Sequence, residues 1–128
     1  MGKVGRRVLK TALPGIQEEF EIDFTLANAE NAAGGFGLTP PIVQELLGLN
    51  IDVLTSGNHI WDHPVIHPSL LQESRVLRPL NYPESNICVG STVITAKNGK
   101  KITIVNAQGR SFLYSINCPF TAVMKEVR

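Results

Sequence analysis

The sequence predicts an α/β fold, and three observations carry the prediction. Residues 22–28 and 51–55 are short apolar runs of strand character, an amphipathic segment with a capped start lies between them, and polar residues follow each run. Strand, loop, helix, strand, loop is a βαβ unit, whose strands are parallel and whose crossover is right-handed. Ligands of open α/β sheets bind beyond the carboxyl ends of the strands. The polar residues after the two runs, Glu30-Asn31 and Asn58-His59, are therefore expected side by side.

In residues 4–20, Val8, Leu9, Ala12, Leu13, Ile16 and Phe20 are spaced to share one broad helical face, and Pro14-Gly15 predicts a kink or interruption. Residues 22–28 (IDFTLAN) read as a strand of a mostly buried sheet. The glycines at 34, 35 and 37 predict a loop. Thr39 then stands as a helix N-cap with Pro40 at the first helical position, Ile42, Val43, Leu46 and Leu47 form the apolar stripe, and Gly48 weakens the end. Residues 51–55 (IDVLT) are the second strand. The stretch holding Pro64, Pro68, Pro79 and Pro83 reads as loop with a short helix near residues 65–72. Residues 89–95 and 101–106, joined through Asn98-Gly99, read as an antiparallel hairpin.

A chain of 128 residues holds one domain at most, at roughly 150 residues per domain. With 43% hydrophobic and 18% charged residues it is too apolar for disorder, and no long uncharged run suggests a membrane span. A net charge of +1, with scattered lysines and arginines, argues against duplex nucleic acid as a partner. Cys88 and Cys118 have no zinc-type spacing, so a reducing, cytoplasmic setting is expected.

One carboxylate, amide oxygens and an imidazole converge in Asn28-Ala29-Glu30-Asn31 and Gly57-Asn58-His59. Such donors suit manganese, iron(II) or magnesium, and a carboxylate places one oxygen on each of two cations. The plainer reading has Glu30 capping backbone and the asparagines turning the chain. His59 has the chemistry of a general acid beside a phosphate, or of a hydrogen-bonded loop histidine. The i,i+4 pair His63 and His67 invites zinc, but Pro64 and Pro68 disturb the helix it needs. Glycines 34–37 before the Thr39 helix could take a phosphate on backbone N–H groups, although glycine before a helix is ordinary loop grammar, in which Phe36 simply packs. Gln108-Gly109-Arg110 presents either a guanidinium to a phosphate or a solvated loop arginine. No G-x-S-x-G or Ser/His/Asp order supports serine hydrolase chemistry.

The ordered set ENAAGGFG (30–37), GNHIWD (57–62), RPLNYP (78–83) and NAQGR (106–110) resembles the YmdB-like calcineurin-type metallophosphoesterases over nearly the whole chain. The resemblance implies a bacterial cytoplasmic phosphodiesterase acting on 2′,3′-cyclic nucleotides or another small phosphodiester, with two iron or manganese ions at the edge of an α/β/β/α sandwich. It implies that Glu30 bridges the metals, that Asn31 and Asn58 help to hold them, and that His59 faces the scissile phosphate.

The family opens with a strand ending in a Gly-Asp ligand and draws histidine ligands from a second half of the sandwich. This chain starts at Met1-Gly2-Lys3 and has histidines only at 59, 63 and 67, so a single incomplete domain over residues 1–128 is expected. An uncovered sheet favours self-association into a homo-oligomer. The rival expectation is a non-catalytic remnant or interaction module without a complete metal site, and a third is a nucleotide-binding module using residues 34–37.

Overall fold

The structure is a computed structural model and describes residues 2–66, 68, 73–83 and 88–128. His67, with most of the helix predicted at 65–72, lies outside the described residues. In chain order the elements are α1 (Lys3–Glu19), β1 (Leu26–Asn28), α2 (Pro40–Leu47), β2 (Val53–Thr55), 3₁₀ turns at Asn58–Trp61 and Pro64–Ile66, β3 (Val76–Leu77), the hairpin β4 (Ser91–Thr95) and β5 (Lys101–Val105), and α3 (Pro119–Glu126). No helix among the described residues is long and apolar enough to cross a membrane.

The predicted βαβ unit is present. Strands β1, β2 and β3 form a parallel sheet in that order, with Asn28 opposite Thr55 and Thr55 opposite Leu77. Successive strand side chains point to opposite faces, so the sheet offers two apolar surfaces. Leu54 and Val76 enter one buried cluster with Val43 and Leu46 of α2, against which Leu9 and Leu13 of α1 pack. Val53 and Leu77 enter the other with Ile104 of β5, flanked by Ile94 and Ile102. Helices therefore cover one face of the sheet and the hairpin covers the other, a partial α/β/β/α sandwich.

Several boundaries differ from the expectations. Helix α1 runs unbroken through Pro14, so the interruption at Pro14-Gly15 does not occur. Pro14 and Lys10 are both exposed, and water can serve the carbonyl that loses its amide partner there. Of the residues expected on one buried face, Leu9 and Leu13 pack against the core while Val8, Ile16 and Phe20 remain exposed. Gln17 is instead the buried residue of α1, and its Nε2 donates to Thr25 Oγ1 and to the Asn50 carbonyl, both at 3.0 Å. Strand β1 is shorter than residues 22–28 because Thr25 meets Asp52, whose Oδ2 accepts the Thr25 N–H at 2.7 Å. Thr39 caps α2 through its backbone: its carbonyl accepts the N–H groups of Ile42 and Val43 at 3.0 Å, and its hydroxyl makes no capping bond.

The two cysteines are free and differ in reactivity. Burial pushes the Cys88 thiol above its usual range, whereas the backbone N–H and hydroxyl of Thr121 hold the Cys118 thiol below it. The thiolate is the nucleophile, so Cys118 is expected to react with a disulfide reagent first and at lower pH than an ordinary thiol. A pH series of modification rates, with the sites read by peptide mass, checks this. Equal rates, or Cys88 first, would refute it.

Candidate functional site

Strand register builds the site. Asn28 and Thr55 are partners, and the ladder continues one step beyond β1, where the Ala29 N–H donates to the Thr55 carbonyl at 2.9 Å. Two residues past each strand end stand Glu30 and Gly57. The Asn28 Oδ1 accepts the Glu30 N–H at 3.1 Å, which turns the chain as Glu30 leaves the sheet. The Glu30 carboxylate lies directly over the Gly57 Cα: a Cβ at position 57 would collide with all three carboxyl atoms. Glycine is required there by this close approach, and Gly57 is itself buried.

Among the described residues the Glu30 carboxylate has neither an ion pair nor a hydrogen bond. An anion at a sheet end, half-buried and without a protein cation, is suited to an external cation.

The 3₁₀ turn Asn58–Trp61 follows Gly57 at once. His59 Nδ1 lies 2.7 Å from Asp62 Oδ2. A carboxylate only accepts, so Nδ1 carries the proton and Nε2 of the neutral ring is left as the acceptor. The Phe36 ring meets His59 edge-on at 4.9 Å and 74°. Asn31 pairs with Gly37 through an isolated bridge, and Gly37, at φ 65°, approaches the His59 carbonyl so closely that a Cβ would stand 2.5 Å from it. The glycine loop thus packs on the His59 segment and ties Asn31 to it.

Glu30, Asn31, Asn58 and His59 consequently gather at the carboxyl end of β1 and β2. Asp62 as the partner of His59, and Gly57 as the seat of Glu30, escaped the sequence reading; the glycine directly before Asn58 was the available signal. The His63 ring lies near Gly37, on the flank of the cluster. His67, the other half of the zinc reading, lies outside the described residues. Arg110 is exposed and lines a surface cavity with Ser111, Leu113 and Phe120.

The donors fit a divalent cation in kind, since one carboxylate, two amide carbonyls and an imidazole are hard or borderline ligands. Among the described residues no group of three His, Cys, Asp or Glu side chains is placed to hold a metal ion, so the set is partial for a metal pair.

Solved structures share this fold. A solved structure described as a phosphatase of Mycoplasma pneumoniae superposes with a TM-score of 0.86 at 31% identity, covering 98% of this chain and 46% of that one. A second, of a protein of Thermus thermophilus, gives 0.90 at 33% identity over 99% of this chain and 49% of that one. In sequence, the chain is 38% identical over 120 residues to a 2′,3′-cyclic-nucleotide 2′-phosphodiesterase of Bacillus subtilis, across 94% of this chain and 45% of the relative. The family model described as YmdB-like protein matches residues 1–128, and the chain belongs to that family. It spans about half the length of the relatives it matches.

Proposed function

We propose that this chain contributes one side of a metal-dependent phosphodiesterase centre acting on 2′,3′-cyclic nucleotides or a related small phosphodiester. The observation that carries the reading is the Glu30 carboxylate, seated on Gly57 without a cationic partner among the described residues. The name of the B. subtilis relative supports the substrate class.

Glu30, with Asn31 and Asn58 as neutral oxygen donors that add no charge, would help to hold two divalent ions, iron or manganese. Ions bound there supply Lewis-acid polarisation of phosphoryl oxygens. With Nδ1–H directed to Asp62, Nε2 is the nitrogen left to take up a proton from water and pass it to the leaving oxygen of the phosphodiester. The Asp62 carboxylate stabilises the imidazolium that can give that proton to a leaving alkoxide. The edge-on Phe36 ring limits the swing of the imidazole.

The test is manganese content after gel filtration, with hydrolysis of 2′,3′-cyclic AMP followed in parallel. Asn58→Ala is expected to weaken Mn²⁺ binding about tenfold or more and to abolish metal-dependent turnover, while the thermal transition stays within a few degrees. A wild-type chain that retains no manganese, or an Asn58→Ala chain that binds and turns over like wild type, would sink the assignment.

The partial ligand set favours a second reading, a chain that holds metal or phosphodiester without turnover. Retained manganese with no hydrolysis would select it.

A further inference from the structure

Gly57 is the seat of Glu30, yet glycine is the residue least able to hold its own conformation. Its backbone stands at φ −139° and ψ −145°. Something outside the loop must fix the peptide plane between Ser56 and Gly57, because that plane sets where the Gly57 Cα lies and how Asn58 and His59 depart.

One side chain meets that plane. Asn106 follows β5 directly, and its Nδ2 donates to the Ser56 carbonyl at 2.9 Å and to the Leu77 carbonyl at 3.0 Å. The amide has two protons, and both are used. Its backbone is equally engaged: the N–H donates to the Gly90 carbonyl at 2.9 Å, and the carbonyl accepts the Leu80 N–H at 2.7 Å. Ser56 in turn donates its N–H at 3.1 Å and its hydroxyl at 2.7 Å to the Leu77 carbonyl. The carboxyl ends of β2 and β3 are thus clamped together from the hairpin side. No other described side chain bonds the Ser56 carbonyl.

We propose that Asn106 is a positioning residue for the centre, fixing the Ser56–Gly57 peptide so that the Glu30 carboxylate, Asn58 and His59 converge. This rests on the metal reading above only for its functional consequence; the geometric claim stands apart from it.

The experiment compares wild type with Asn106→Ala by amide hydrogen exchange and by Mn²⁺ titration. The Ser56 amide, bonded to the Leu77 carbonyl, and the Ile60 amide, bonded to the Gly57 carbonyl, report the loop; the Leu54 amide, bonded to the Arg75 carbonyl, reports the sheet. In the variant, exchange at Ser56 and Ile60 is expected to accelerate at least about tenfold more than at Leu54, and the Mn²⁺ dissociation constant to rise about tenfold or more. A uniform acceleration, or none, would overturn the proposal, because fold support alone loosens all three amides alike. If the variant does not fold, the wild type still decides: the Asn106 side-chain NH₂ must exchange more slowly than a free amide, and exchange at the free rate refutes the clamp. A wild-type chain that binds no Mn²⁺ would remove the metal reading and leave the exchange contrast to judge the positioning.

Discussion

Gly57→Ala is expected to cost the chain its metal affinity, by about a hundredfold or more, while leaving it folded. The new methyl group would occupy the space of the Glu30 carboxyl group, and Glu30 is the partner able to move. Its side chain is half-buried and flexible, so it swings away from the sheet end and the overlap is relieved at about 1–3 kcal/mol. Calorimetric Mn²⁺ titration beside a thermal melt separates the two effects. Wild-type affinity in the Gly57→Ala chain would show that Glu30 holds metal from some other position, or not at all.

Glu30→Gln reaches a similar loss by a different route. The amide keeps the size of the carboxyl group and its place over Gly57, but removes the negative charge. Mn²⁺ affinity is expected to fall about a hundredfold or more, since a neutral donor replaces the carboxylate among the proposed ligands Glu30, Asn31 and Asn58. Stability is expected to hold or to rise slightly, because the carboxylate has no protein partner among the described residues to lose. A clear fall in the melting temperature would mean that Glu30 works as a structural anion. The two substitutions act on one contact, so the double variant is expected to lose little more than either single one.

The parts legible in the sequence are those with local signals. The β1–α2–β2 unit announces itself through strand-like runs and the Thr39-Pro40 start, and the hairpin through Asn98-Gly99. Gly99 stands at φ 82°, the conformation such a turn demands. Strand β3 has two residues, too few for any periodicity, and its strand character comes from pairing with Leu54 and Thr55. Helix α3 begins at Pro119 behind Cys118, a residue outside the usual Ser, Thr, Asp and Asn capping set, and it buries none of its residues. Neither a capping residue nor a buried stripe marks it in advance.

The site divides in the same way. Glu30, Asn31, Asn58 and His59 lie next to strand ends, where topology alone brings them together. Asp62 is only three residues from His59, but the contact depends on a 3₁₀ turn rather than on a strand or an α-helix. Asn106 lies fifty residues from Ser56 in sequence, and nothing in its neighbours reveals where its amide goes. The motif RPLNYP turns out to be bracing as well. Asn81 Nδ2 donates to the carbonyls of Gln108 and Asn117 at 2.9 Å, and its Oδ1 accepts the Gln108 N–H at 3.0 Å. Asn81 thereby binds the segment after β5 to the end of β3.

The carboxylate resting on a glycine also works as a gauge of strand alignment. A slip of one residue between β1 and β2 would bring Ser56 or Asn58 beneath Glu30, and either presents a Cβ where only hydrogen fits. The same slip would turn Leu54 toward the hairpin and Val53 toward the helices, exchanging the two apolar clusters. Packing and ligand geometry thus veto the same misalignments, and a chain that finds the right register for its core has, by that act, aligned its candidate centre.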